Sequence, residues 1–472
     1  MSILKKGGAF LKKIKRIISF FCALSLLLSL SSCSLGFSSF DELIRPPRLV
    51  GKYQGLQDLF EKQAGAGYTL CTPENGKYQS AFITFDVDSD SDEEALVFYT
   101  SKRDSELVKF IFFEYENDEW LSAGSYEGLG NSVDTVIFSD LNLDGAFEVI
   151  IGWNLFSSMT GKTFSFYRLS DKGSGLIPVN SYPYSYLSTI DVNGDGIEDV
   201  FSLNIDSAVP DHLLGYARVY NYNSVKSTLD ILSETRTDGN VSGYSSVSTE
   251  TADNVNYIYV EALKGEKESV TELIYWDDKT SSLISPLFDA ESQTTKLSWR
   301  NIPITCFDID GDERLEIPTS VEMKGYAVAD AENQTQTNDA ALPESMYYIK
   351  WVKFSGGRLR PVRYSVVNSD YGYILSIPSS WVGRITVVNT GSEWKFYRWL
   401  GDSGKYGDLL FSISAFKKST LSSDKVPAKY RELDSSADYA YYFTVTDAGY
   451  SFGVKDATIK KEFIINDFGG IK

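Results

Sequence analysis

Histidine is almost absent: His212, in Pro210-Asp211-His212, is the only one in 472 residues. Its scarcity excludes a multi-histidine metal centre, and a Ser-His-Asp triad would have no base unless His212 served. A lone histidine among loop residues is assigned no role. Cysteine is sparse too, at positions 22, 33, 71 and 306. Cys22 and Cys33 fall in a leader-like segment, and the remaining pair can build neither a zinc site nor a disulfide framework. A Cys71–Cys306 bridge and two buried thiols are both compatible with the sequence. Long apolar runs are missing: Ile17 to Leu30 is fourteen residues, whereas crossing a bilayer takes roughly 20. Basic charge is also short, with 45 Lys and Arg against 64 Asp and Glu and a net charge of −19. Such a surface disfavours nucleic acid and anionic lipid as direct partners.

The first 32 residues read as an address. Lys5, Lys6, Lys12, Lys13, Lys15 and Arg16 precede the apolar run, the layout of a secretory signal peptide. Removing those six basic residues and no acid would take the net charge to −25. The run ends in Leu30-Ser31-Ser32-Cys33, which resembles the lipobox of bacterial lipoproteins. That resemblance implies diacylation of Cys33 and a Ser-rich tether over 33–44. The alternative is an ordinary signal peptide with an incidental cysteine.

What the chain does have is four acidic loops. Asp86, Asp88, Asp90 and Glu94 occupy positions 1, 3, 5 and 9 of the first. Asp140, Asn142, Asp144 and Glu148 repeat the pattern, as do Asp191, Asn193, Asp195 and Asp199, and finally Asp308, Asp310, Asp312 and Glu316. Side-chain oxygens at this spacing, with a backbone carbonyl at position 7, suit a hard cation such as Ca²⁺, which takes six to eight oxygens. Asp, Asn and Gly also populate plain turns for backbone reasons, the alternative reading. Several carboxylates curled together repel until a cation joins them, so a structural role for Ca²⁺ is expected.

The loops begin 54, 51 and 117 residues apart, and the last interval is two periods. Near its midpoint lies Ser248 to Asn256, read as a faded copy that no longer binds metal. A fixed period of this length marks a repeat. Each loop is flanked by β-branched and aromatic runs: Ala81–Phe85 and Ala95–Tyr99, Thr135–Phe138 and Val149–Trp153, Tyr186–Ile190 and Val200–Ile205, Ile302–Phe307 and Ile317–Val321. Further runs follow, such as Val108–Tyr115 and Trp120–Ser125, or Tyr347–Phe354 and Leu359–Tyr364. Four antiparallel strands per period predict a mainly β chain and a β-propeller of about five to seven four-stranded blades.

Position 12 after each loop start is Val97, Ile151, Ser202 or Thr319, inside the following strand. An EF-hand, with flanking helices and a Glu there, is excluded. The motif resembles the FG-GAP/VCBS repeat known from the integrin α-subunit propeller, most closely in Asp191 to Asp199. That resemblance spans about 75–365 and implies that all sixteen named loop residues ligate Ca²⁺. Ser91 and Glu313 depart from the usual glycine at position 6, and the FG-GAP dipeptides are not recognisable.

The propeller is expected over 45–365, with a short helix at Gln57–Gln63, a strand at Tyr68–Leu70, and a ring-closing strand drawn from this stretch. Leu43-Ile44-Arg45-Pro46-Pro47 resembles the opening of clostridial-type lipoproteins with VCBS-like repeats. Residues 366–472 are expected to form a small α+β domain. Strands are predicted at Arg384–Val388, Trp394–Trp399, Leu409–Ser414 and Tyr439–Thr444, with a helix around Pro427 to Leu433. The opening from Tyr371 to Trp381 resembles PsbP/Mog1-like domains, though its aromatics suit a core equally well. Together these readings imply a calcium-stabilised, non-catalytic binding lipoprotein, lipid-anchored to the outer face of a Gram-positive cell membrane, with a protein or glycan partner. The alternatives are an extracellular glycosidase or lyase, since two carboxylates suffice for that chemistry, and an accessory lipoprotein of a transport or assembly complex.

Overall fold

The computed structural model describes residues 51–155, 161–170, 175–206, 213–324, 346–401, 406–421 and 428–466. The leader, Cys33 and its tether, the Leu43–Pro47 motif and His212 lie outside them. Two compact units divide at 63/64. The expected helix is longer than its apolar signal and runs from Lys52 to Ala64, all but its last residue in the first unit. Gln57 donates to Glu61 one turn on, at 3.1 Å.

The second unit is mainly β. Its described residues form six antiparallel sheets of four or five strands. The first contains Phe82–Phe85, Glu94–Ser101, Asp104–Glu116 and Glu119–Glu127; Tyr68–Leu70 lies end to end with Phe82–Phe85 along the same edge of Glu94–Ser101. The second is Ser132–Ser139, Glu148–Asn154, Lys162–Leu169 and Leu176–Tyr184. The third is Tyr186–Ile190, Asp199–Asp206, Leu214–Asn223 and Thr228–Thr237. The fourth is Gly243–Ala252, Val255–Lys264, Glu268–Asp277 and Ser282–Ile284. Each is a simple meander, because short turns join strands that are already neighbours in sequence.

The sheets stack face to face in chain order. Phe98, Phe110, Val133 and Trp153 join the first to the second, and Ile150, Phe164, Val200 and Tyr220 the second to the third. Phe201, Val219, Ile258 and Ile274 continue to the fourth, then Tyr259, Leu273, Ile317 and Val352 to the fifth. Strands such as Glu94–Ser101 and Glu148–Asn154 are therefore apolar on both faces, which is why they read as unbroken hydrophobic runs.

The fifth sheet departs from expectation. Ile317–Glu322, Tyr347–Ser355 and Arg358–Asn368 are strands, but Ile302–Phe307 is not one: only Phe307 and Glu316 bridge. Pro303 carries no N–H to give a ladder there. Pairing also runs past residue 365, since Tyr373–Ile377 joins Arg358–Asn368 and then Phe463–Ile465. The faded copy at Ser248–Asn256 is a second surprise. Its loop has shrunk to a two-residue hairpin turn at Asp253 and Asn254, with φ of 53° and 62°, as a type I′ turn requires.

The sixth sheet is ordered Ile385–Thr390, Glu393–Trp399, Tyr406–Lys417, Tyr439–Val445, Arg431–Ser435. The helix expected around Pro427 to Leu433 is thus wrong: Arg431–Ser435 is an edge strand whose Arg431 guanidinium covers the Phe443 ring at 5.0 Å. Alternating burial favours the strand. Helices occur instead at Asp447–Phe452 and Asp456–Glu462. The first is capped by the Thr446 hydroxyl, which accepts from Gly449 N at 3.1 Å, and ends at Gly453 with φ 106°. Cys71 and Cys306 are free thiols.

Candidate metal centres: four loops of one conformation

All four loops adopt the same backbone. Position 4 (Ser89, Leu143, Gly194, Gly311) has φ of 60°, 55°, 77° and 80°. Position 6 (Ser91, Gly145, Gly196, Glu313) has φ of 82°, 89°, 85° and 67°. Two left-handed residues bend the chain twice, which brings the position-6 N–H back to the position-1 carboxylate in every loop. Four of those eight positions are glycine; Ser89, Ser91, Leu143 and Glu313 hold the left-handed conformation without it.

The same hydrogen bonds recur. The first Asp accepts from the position-6 N–H at 3.1, 3.0, 3.0 and 2.8 Å in the four loops. The position-5 carboxylate accepts from the position-7 N–H at 2.8, 2.9, 2.8 and 3.1 Å. The position-9 carboxylate reaches back to the position-2 N–H at 2.7, 2.9, 3.3 and 3.0 Å, closing each loop. Val87, Leu141, Val192 and Ile309 at position 2 are buried plugs. Glu94, Glu148, Asp199 and Glu316 are buried with them, while the position-5 carboxylates face solvent.

Burial and the neighbouring carboxylates push Glu94, Glu148 and Asp199 up to about 7. Three acids held so far above their ordinary range mark places where negative charge is crowded and short of a counter-ion. The residues fit a hard cation. Carboxylate oxygens of Asp86, Asp88 and Asp90 lie within 4.8 Å of one another, as do those of Asp308, Asp310 and Glu316. Two oxygens on one Ca²⁺ are at most about 5 Å apart. In the second and third loops an amide replaces one acid, and Asn142 and Asn193 each donate to the position-5 carboxylate at 2.9 Å.

The fourth loop differs. Lys353, on the strand Tyr347–Ser355, puts its Nζ 2.5 Å from Asp312 Oδ2, 2.9 Å from Glu316 Oε1 and 4.0 Å from Asp310 Oδ1. Its ammonium draws the Asp312 carboxyl below the usual range. Burial still raises Glu316, against the pull of Lys353.

The loops also touch each other along one edge of the stack. Ser89 Oγ donates to Gly145 O at 2.6 Å, and Phe147 N to Val87 O at 2.7 Å. Ser139 Oγ reaches Glu198 at 2.7 Å. Asn256 Nδ2 donates to Asp191 O at 2.9 Å, and Glu250 holds Arg314 and accepts from Leu315 N at 2.6 Å. The faded copy has therefore kept its place in the row, using Glu250 and Asn256 to bind the loops on either side.

No family model and no curated protein matches the chain. Among solved structures, Sqt1 of Saccharomyces cerevisiae is 11% identical, with 74% of this chain and 93% of that one covered at a TM-score of 0.27. A candidate 6-phosphogluconolactonase of Bacteroides fragilis is 12% identical, with 65% and 82% covered at a TM-score of 0.24. Likenesses at these scores carry no weight; the fold rests on the strand pairing above.

Buried charged groups that sequence reasoning missed occur away from the loops. Asp134 accepts from Lys162 at 2.7 Å, Tyr184 at 2.5 Å and Asn75 at 2.8 Å. Burial would raise its pKa, but these donors prevail and lower it. Asp238 pairs with Lys264, and the wholly buried Arg300 with Glu261. Single charges scattered through strands have no spacing by which a sequence could announce them.

Proposed function

We propose that this chain is a calcium-stabilised β-propeller of the FG-GAP/VCBS type, with a small C-terminal α+β domain. It is a bacterial lipoprotein, anchored through Cys33 to the outer face of a Gram-positive cell membrane, that binds a protein or glycan partner without catalysis. The carrying observation is the shared loop conformation. Four separate segments hold left-handed residues at positions 4 and 6 and close a buried position-9 carboxylate onto position 2. A turn needs no such convergence of acids, whereas a cation site does. Asp86, Asp88, Asp90 and Glu94, and their counterparts in the second and third loops, would hold the ion, which would neutralise their mutual repulsion. The loop carboxylates are engaged in closing their own hairpins, which favours a scaffold over a reaction centre.

Two experiments test this reading. Thermal melting of the chain from Ser34 onward, with and without calcium, should show a clear loss of stability on depletion; an unchanged melting temperature sinks the metal assignment. Glycan-array and pull-down screens of the same soluble protein should yield a sugar or protein ligand. Turnover of a polysaccharide would instead make it an enzyme.

A further inference from the structure

We infer that the Asp308–Glu316 loop takes no metal because Lys353 is its resident cation. This rests on the calcium reading proposed for the other loops and separates one loop from them. The loop keeps the shared backbone and its oxygens still converge, so nothing in the chain's path disqualifies it. What disqualifies it is an ammonium already inside. Lys353 Nζ touches the carboxylates at positions 5 and 9 and stands 4.0 Å from the one at position 3. Glu316 Oε1, fully buried and without a well-directed hydrogen bond, faces that ammonium alone. A dication entering the loop would meet a like charge at ligand distance, or would have to expel a lysine whose side chain is 15% exposed.

The strand register sets a basic residue beside the closing carboxylate in the second and fourth loops, and in the fourth it contacts the loop's carboxylates. Ile317 pairs with Val352, which sets Lys353 beside Glu316. In the first sheet Ala95 pairs with Phe113, and the next residue is Glu114, an added negative charge. In the third Val200 pairs with Tyr220, and Asn221 follows. In the second Val149 pairs with Tyr167, and Arg168 follows, its Nη1 donating at 3.0 Å to the Leu169 carbonyl along its own strand. Where the side chain at that position turns onto the carboxylates, as Lys353 does, it supplies the loop's cation. An ammonium on a side chain has a further property: it cannot be chelated away.

Calcium ions bound by the soluble chain from Ser34 onward are counted by native mass spectrometry, at about 1 mM calcium, the level to which extracellular modules are tuned. Wild type is expected to carry three ions and Lys353→Met four, with melting of the variant becoming more calcium-dependent. Four ions on wild type, or no gain in Lys353→Met, overturns the inference while leaving the calcium reading intact. No ion on wild type but one on Lys353→Met supports the inference and defeats that reading for the other loops. No ion on either protein defeats both. Should Lys353→Met fail to fold, the wild-type count decides.

Discussion

In calcium-depleted buffer the second unit should lose stability as the pH rises from about 4.5 to about 7, the reverse of ordinary acid denaturation. Glu94, Glu148 and Asp199 are pushed up to about 7 in the folded chain by burial and by their loop partners. An acid whose pKa is raised on folding binds its proton more tightly in the native state. Its contribution is complete below the unfolded pKa, near 4, and is lost as the pH climbs through the folded value. A rise from 4.5 to about 7 is worth about 3.4 kcal/mol for each glutamate, and the rise of Asp199 from 3.8 to about 7 is worth about 4 kcal/mol. Water at the loop edge screens much of this, so about 1 kcal/mol per loop is the working figure, about 3 kcal/mol for the three. At about 2.1 cal/mol/K per residue over roughly 400 residues, that is a fall in melting temperature of about 4 °C. Calcium should abolish the loop contribution, because a bound dication keeps the carboxylates ionised. Glu272, buried and also raised to about 7, retains the same slope with calcium present, so the difference between the two curves isolates the loops. One histidine in the whole chain leaves this window almost free of other titrations. The assay is circular-dichroism melting between pH 5 and 8, with and without calcium. Curves with and without the ion that run parallel throughout would refute the argument.

Three further outcomes are expected. Glu313→Gly and Ser91→Gly should each stabilise by about 0.5–1 kcal/mol, since both relieve a left-handed residue, while Gly196→Ala should destabilise by about 1 kcal/mol although no atom lies within 4 Å of its new Cβ; urea midpoints decide the signs. Asp134→Ala should cost about 2–3 kcal/mol by removing the shared acceptor of Lys162, Tyr184 and Asn75, and a urea midpoint within 0.5 kcal/mol (about the scatter of surface substitutions) would contradict that. Asn256→Ala should cost about 1 kcal/mol and speed amide exchange in the Asp191–Asp199 loop more than in the Asp86–Glu94 loop, which it does not touch.

Much of this architecture was legible because it is local. Acidic loops at fixed positions and apolar runs on either side need only a window of a dozen residues, and strands such as Tyr186–Ile190 fall where the pattern puts them. The misses are cases where distance or a shorter solution prevailed. Lys353 is 37 residues beyond Glu316, and only the register of two strands brings it to the loop. The faded copy kept its spacing while its loop collapsed into a tight turn, which the positive φ of Asp253 and Asn254 permits. The helix expected around Pro427 to Leu433 gave way to an edge strand paired with Tyr439–Val445, where Arg431 covers the Phe443 ring and pairs with the distant Asp456. The helix at Asp447–Phe452 carried its own signal in Thr446 and Gly453, hidden by its length of six residues.

The bonds that tie each loop to the next have a consequence for how ions load. In a linear array whose units interact only with their neighbours, ordering one unit lowers the entropy still to be lost by the next. Gly145 and Phe147 are fixed partly by the first loop, and Asp191 by the hairpin beyond it. Filling of the loops should therefore be steeper than for independent sites, a property of the row that no single loop has. The hairpin at Asp253–Asn254, which has no acidic loop left to fill, still relays that ordering through Asn256 on one side and Glu250 on the other. It is a silent unit that keeps the row in conversation.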